Sequence, residues 1–372
     1  EAAKEGRDVI AQLLLERDAV LVNKKDLKGR TALHFAAAQG FTDVVNKLLV
    51  YGANLRLLDA QSCSALHWAI GGFEPNVETV QVLIANGMPL DEADDLHMTP
   101  PHYAASIGGV DIAKFLIESG AKVNRSVRRL DRPRGLMEVP DKHNVERASA
   151  TSDHLSDTIG LTPLHAAALF GHRDTVQLLL DCGADPNSLS EHSETPLHLA
   201  LTQRLADLEI HDAWTDNQFG LEGCAPWQDD SCCHWEGEDD EIAEARRSII
   251  NMLINHPSTD VTIQDYCGCA ALHVVNYLFD NQTSIVERLI QRGASVSLQN
   301  NLGQTPLMEA AGMSDIESLQ AMLAGSADLS ISDNEGRNVL HYAAWSDCER
   351  LVSLILHHKQ ATDIVHAVDK NG

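Results

Sequence analysis

"LTPLHAAALFGHRDTVQLLLDCGADPNS", residues Leu161 to Ser188, decides the fold, because its offsets recur along the chain. An imidazole directly after Thr-Pro-Leu invites a catalytic reading of His165, whereas the same spacing elsewhere makes the stretch one copy of a structural module. The histidine of this pattern, or of a near variant, falls at His34, His67, His102, His165, His198, His273 and His341, with Met308 in its place in "TPLMEAA". Successive spacings are 33, 35, 63, 33, 75, 35 and 33 residues. A unit near 33 residues therefore repeats, with two interruptions, and self-similarity at a fixed period decides the architecture before any other feature.

Within the quoted copy, Thr162 suits a helix N-cap and Pro163 the first helical position. Leu164, Ala167 and Ala168 make a small apolar face, and Gly171 ends the helix. Val176, Leu179 and Leu180 form the buried stripe of a second helix, and Gly183 stands where a left-handed C-cap residue is wanted. Asp185 to Asn187 then lead into an extended tip. One copy cannot bury its apolar face alone, so the stack is the folding unit.

The motif, from hairpin tip through "TPLH", short helix, Gly turn and "V..LL" helix to "GADPN", strongly resembles the ankyrin repeat, over nearly the whole chain. The resemblance implies an all-α solenoid of helix-turn-helix units with hairpin tips, and a histidine that ties adjacent tips together through backbone and Thr groups. A partial unit spans 1–25, full copies begin at residues 26, 59, 94, 157, 190, 265, 300 and 333, and 369–372 opens a further tip. Neither end reads as a polar cap, so the chain is expected to be an excerpt of a longer array or multidomain protein. At Met308 the tie is missing and "AAGMSD" reads as a shortened turn, which predicts a weaker seam, although Met can pack in the gap.

The chain has 372 residues, long for a single compact core but not for a solenoid. Eight thinly spread cysteines favour reduced thiols and an intracellular setting, cytoplasm or nucleus. A formal net charge of −26 argues against nucleic acid, which needs a basic footprint. No apolar run approaches a bilayer span and no secretory leader stands at the start. No P-loop, GxSxG, HExxH or GxGxxG motif occurs in the required context, and no cofactor is expected.

Candidate binding residues are the variable second, third and fifth positions of the tips: Lys28, Arg30, Leu96, Met98, Ile159, Leu161, Tyr266, Leu302, Gln304 and Arg337. Several are apolar and read as solvent-facing, a pattern that marks a surface for an extended or helical segment of a partner. The tip glycine is present at Gly29, Gly160, Gly268, Gly303 and Gly336. Ser62, His97 and Ser193 replace it elsewhere, which predicts a different bend in those tips.

The interruptions supply the other candidates. Insert 127–156 opens basic, with Arg128, Arg129, Arg132 and Arg134, suited to an acidic segment or a phosphate group. Insert 203–241, within the fifth full copy, holds Trp214, Phe219, Trp227 and Trp235 among twelve acidic residues, with Arg204 as its single basic one. So long a loop is usually functional or disordered, and aromatics among acids suit a segment that folds on a partner. Opposite charge predicts that the two inserts approach one face. Cys224, Cys232, Cys233 and His234 offer soft ligands but lack the paired spacing of a zinc site, so no metal is expected. The reading is a protein-binding scaffold; the alternatives are a pocket, catalytic or ligand-binding, built by the inserts over the concave face, and a regulatory domain of a larger protein.

Overall fold

The computed structural model describes residues 1–126, 160–202, 240–275, 282–325, 327–346 and 348–370. They divide into two compact units, Glu1–Asp185 with Leu205–Ala245, and Pro186–Arg204 with Arg246–Gly372. Among the described residues there are helices, turns and one isolated antiparallel bridge, Gln264 to Ala270, and no strand.

In the first unit a lone outer helix, α1 (Asp8–Arg17), precedes four inner–outer pairs: α2 (Ala32–Ala38) with α3 (Thr42–Val50), α4 (Ala65–Gly71) with α5 (Val77–Ala85), α6 (Pro100–Ser106) with α7 (Val110–Glu118), and α8 (Pro163–Leu169) with α9 (Arg173–Asp181). The inner helices are two turns long and too short to stand alone in water. They persist because Ala36, Ala37, Leu66, Ile70 and Ala104 are buried between neighbouring helices, where small side chains allow close approach. The outer helices add Val45, Leu48, Val80, Leu83 and Leu116. Full burial of each such aliphatic side chain contributes about 1.5 to 3 kcal/mol before conformational entropy is deducted.

The second unit repeats the plan with α10 (Pro196–Leu201), α11 (Asp240–Asn255) from Arg246 onward, α12 (Ala271–Val274), α13 (Gln282–Gln291), α14 (Pro306–Gly312), α15 (Ile316–Ala324), α16 (Val339–Trp345), α17 (Glu349–Leu356) and α18 (Ala361–Ile364). Its stripe comprises Ile249, Leu253, Val286, Leu289, Leu319, Met322, Leu351 and Ile355, all buried. No helix among the described residues is long and apolar enough to cross a membrane.

Local signals behave as their chemistry requires. Thr162 caps α8 by accepting from the His165 amide, and Gly171 and Gly183 take φ of 77° and 84°. Two expectations are corrected. Ser62, His97 and Ser193 do not bend their tips differently: their φ values of 61°, 64° and 58° match the left-handed glycines. The small strain this costs is met at Ser62 by a hydroxyl bond to Asp95 at 2.9 Å. Nor is the turn after α14 shortened. Three residues separate α14 from α15, as between α2 and α3, and Ser314 at φ 61° stands where Gly40 does.

Candidate functional site

Each tip is organised by its first residue. The Oδ1 of Asp26 accepts the amides of Lys28 and Arg30 at 2.9 and 2.8 Å, and Asp59, Asp94, Asn300 and Asp333 do the same two and four residues on. This closes the turn within one side chain's reach. The second oxygen points inward and finds a donor nine residues later: Asp59 takes Trp68 Nε1 at 2.8 Å, Asp94 takes the Tyr103 hydroxyl at 2.6 Å, and Asp333 takes the Tyr342 hydroxyl at 2.7 Å. Where that place holds Phe35, Asp26 is instead paired with Arg30 at 2.8 Å. In the Asn300 copy the polarity is exchanged, and Asn300 Nδ2 donates to Glu309 Oε1 at 3.1 Å. These pairs were not among the sequence candidates, although an aromatic donor nine residues after the tip's Asp is a signal visible in the sequence.

Adjacent tips are joined by two further devices. The second-position amide of one tip donates to the third-position carbonyl of the preceding one: Ala60 to Lys28 at 2.8 Å and Asp95 to Gln61 at 3.0 Å in the first unit, then Tyr266 to His192 at 2.8 Å, Asn301 to Cys267 at 2.9 Å and Asn334 to Leu302 at 3.0 Å in the second. The repeated histidine supplies the other. Thr31, Ser64, Thr99 and Thr195 donate their amides to Nδ1 of His34, His67, His102 and His198, while Nε2 lies 2.9 to 3.2 Å from the carbonyls of Cys63, Met98, Leu161 and Cys269. A ring nitrogen facing an N–H must accept and one facing a carbonyl must donate, so these imidazoles are neutral with the proton on Nε2. Burial holds them below their ordinary range, His67 and His102 at about 4. His165 has the same Thr162 contact and is fully buried, which makes it a scaffold residue.

The candidates separate by tip position. Lys28 is exposed, Tyr266 and Leu302 keep 75% and 63% of their surface in solvent, and Leu96 is half-buried. Met98 and Leu161 are not solvent-facing. They retain 2% and 5%: the histidine of the preceding copy holds the backbone carbonyl of each, and at Met98 the Asp94 carboxylate holds the amide as well, which turns the side chain into the stack. The other fifth positions are half-buried and engaged in the scaffold: Arg30 lies over Phe35 at 4.8 Å, Gln304 donates to the Tyr342 hydroxyl at 2.9 Å, and Arg337 pairs with Asp333 at 2.8 Å and covers the Tyr342 ring at 5.3 Å. Ile159, Arg128, Arg129, Arg132, Arg134, Trp214, Phe219, Trp227, Trp235, Cys224, Cys232, Cys233 and His234 lie outside the described residues.

Two titratable groups in the second unit stand apart. Burial raises the Glu309 carboxyl to about 8, and among the described residues its Oε2 has no hydrogen-bond partner. The free Cys269 thiol beside it is pushed up to about 12 by burial and by Glu309 and Asp265, which keeps it protonated and unreactive. Among the described residues no three His, Cys, Asp or Glu side chains gather to hold a metal ion.

The family model for ankyrin repeats (3 copies) matches residues 1–77, 43–127, 142–210 and 272–366. The chain is 24% identical to the human transient receptor potential cation channel subfamily A member 1, over 93% of this chain and 32% of that protein. It is 30% identical to the E3 ubiquitin-protein ligase XBAT33 of Arabidopsis thaliana over 53% of this chain and 38% of that one, and 28% identical to the ankyrin repeat protein nuc-2 of Neurospora crassa over 54% and 19%. The chain thus spans well under half the length of these curated relatives.

Proposed function

Since the chain belongs to the ankyrin-repeat family, we propose that it is a protein-binding scaffold, intracellular, serving as the recognition domain of a larger protein and without catalysis of its own. The observation that carries this reading is the division of labour within the tips. Positions one and five are consumed by the scaffold, whereas positions two and three leave Lys28, Tyr266 and Leu302 in solvent with their backbones already fixed. Side chains presented from a fixed backbone bind with little ordering cost. Tyr266 and Leu302 stand on consecutive tips and form a short apolar ladder suited to an extended or helical protein segment. The proposal for the Arg-bearing and Trp-bearing inserts, which lie outside the described residues, is that they approach one face and clamp a partner or mask its site.

A photo-reactive phenylalanine at Tyr266 or Leu302 is expected to cross-link the partner, and the same label at Gln177 on an outer helix is not. Tyr266→Asp with Leu302→Asp should abolish binding without lowering the melting temperature. Retained binding in that variant would exclude the tip ladder. Replacing 218–237 by a short Gly-Ser linker tests the insert separately, and unchanged affinity and melting would make it a passive loop. A small molecule bound between the inserts would favour the pocket reading.

A further inference from the structure

Beside Asp26, Asp59, Asp94 and Asp333 the chain itself supplies a donor to the inward carboxylate oxygen, and beside Asp265 it does not. Asp59, Asp94 and Asp333 take an aromatic N–H or O–H nine residues on, while Asp26 and Asp333 take Nε of Arg30 and Arg337 four residues on, at 2.8 Å in both cases. Asp265 has Cys269 and Val274 in those two places. Its Oδ1 accepts the Cys269 amide at 2.8 Å, as in the other tips, but among the described residues no donor meets Oδ2. Asp265 and Cys269 are half-buried, and neither Cys269 nor Val274 reaches as far as the Arg337 and Tyr342 that hold their places beside Asp333.

The arginine copies show what suits such a place. The Arg30 guanidinium lies 4.8 Å from the Phe35 ring of its own copy and 5.8 Å from the Trp68 ring of the next, between the residues nine places into consecutive copies. Around the Asp265 tip the corresponding residues are Val274 and Glu309. A cation seated on Asp265 as Arg30 is seated on Asp26 therefore has a second carboxyl group beside it. Glu309 accepts Asn300 Nδ2 through Oε1 and has no partner for Oε2 among the described residues. Burial raises its carboxyl, and the charge of Asp265 adds to the rise. No cation of these tips offsets the two groups: residues 190–194, 265–269 and 300–304 include Glu191, Glu194 and Asp265 and neither lysine nor arginine. Such a place is reachable from solvent, since the Arg337 side chain that fills its counterpart keeps 39% of its surface.

We propose that the place between Asp265 and Glu309 receives an arginine side chain from the partner whose apolar residues lie on Tyr266 and Leu302. This occupant presupposes the tip ladder and gives the partner its chemistry: an extended or helical segment in which an arginine adjoins apolar side chains. Tyr266 follows Asp265 directly, and Leu302 belongs to the adjoining tip, whose Asn301 amide is bonded to the Cys267 carbonyl at 2.9 Å. A guanidinium suits the place better than an ammonium. Its rigid fork offers donors to two carboxyl groups at once, and the chain itself uses arginine in the equivalent places at Arg30 and Arg337.

The probes are two capped dipeptides, acetyl-Arg-Leu-amide and acetyl-citrulline-Leu-amide, which have nearly the same shape and differ in charge. They are added to the whole chain carrying isotope-labelled glutamate carboxyls and read by NMR. The arginine peptide is expected to shift the Glu309 carboxyl resonance saturably and to lower its titration midpoint by about one pH unit, a roughly tenfold gain in acidity, and the citrulline peptide to do neither. Cys269→Arg should fill the place from within, lowering the same midpoint without peptide and weakening the peptide's effect by on the order of tenfold. Asp265→Asn, which keeps an amide-accepting oxygen as Asn300 does, should abolish the response to the arginine peptide. Equal responses to the two peptides, or a full response in Asp265→Asn, would overturn the arginine site. Cross-linking decides the ladder separately. If the label at Tyr266 and Leu302 captures no partner while the arginine peptide still shifts Glu309, the arginine site stands and the ladder falls; the converse pair of results removes the site and leaves the ladder.

Discussion

At the scale of single residues, the repeated histidine shows how a group suited to catalysis is made inert. His102 has an amide on one ring nitrogen and a carbonyl 2.9 Å from the other, so it can neither take nor give a proton without losing a bond. The consequence for pH has a definite sign. Burial holds His67 and His102 at about 4 against an ordinary 6.5, so on acidification the unfolded chain takes up protons that the folded chain refuses. The contribution is whole above pH 6.5 and is lost as pH falls from 6.5 toward 4, by about 3 kcal/mol per histidine. His67→Gln with His102→Gln should be less stable than the parent at pH 7.5 yet lose less on going to pH 4.5, as urea unfolding at the two pH values will show. Equal losses would mean that other groups carry the acid response. Tyr103→Phe is a second test at this scale. It leaves Asp94 Oδ2 without its 2.6 Å hydroxyl donor and should cost about 1 to 3 kcal/mol, and a neutral result would show that the pairing nine residues apart is incidental.

At the scale of elements, α14 differs from its neighbours by two residues. Met308 occupies the histidine place and is buried, so the gap is filled, but the link from ring nitrogen to the next tip is absent. The bond from Gln304 to the Tyr342 hydroxyl restores one connection between those copies. Met308→His should therefore raise stability modestly, by about 0.5 to 1.5 kcal/mol, and slow exchange across residues 333–346. A drop in stability would show that the methionine's packing outweighs the missing link. The second residue is Glu309, whose carboxyl is raised to about 8 against an ordinary 4.5. Here the folded state holds the proton, so the contribution is whole below pH 4.5 and fades as pH rises through 8, opposite in direction to that of the histidines. Glu309→Gln should remove most of the alkaline decline between pH 6 and 9, read as melting temperature; an unchanged decline would place its origin elsewhere. The sequence announced that this copy was unusual through Met308. It did not reveal the Asn300–Glu309 exchange, because the nine-residue signal elsewhere is an Asp followed by an aromatic donor, whereas here the tip residue donates and the helix residue is the carboxylate.

At the scale of the whole molecule, what was legible follows from what a local pattern encodes. The period, caps, turn glycines and apolar stripes are short-range and could be read directly. The inward rotation of Met98 and Leu161 could not, because it depends on a histidine 31 or 59 residues earlier reaching the backbone carbonyl of that position. The left-handed turn at Ser62, His97 and Ser193 is hidden from a local pattern for a related reason: the clamps on either side impose it on whichever residue occupies the place. Charge is the one global property that composition states outright. At −26 the chain repels itself, and twelve of its acids lie between Asp207 and Glu241. Among the described residues the ion pairs Asp26–Arg30, Asp8–Lys47, Asp333–Arg337 and Glu335–Lys370 are mostly solvent-screened and offer salt little attraction to weaken, while the net charge leaves much repulsion to relieve. Raising ionic strength from 0.01 to 0.15 M shortens the screening length from roughly 30 Å to about 8 Å. The melting temperature of the whole chain should therefore rise over that interval. The rise should shrink when the twelve acids are replaced by their amides, since a large part of the repulsion is removed in advance. A melting temperature that falls with salt in the parent would show that paired charges, rather than excess ones, dominate its electrostatics.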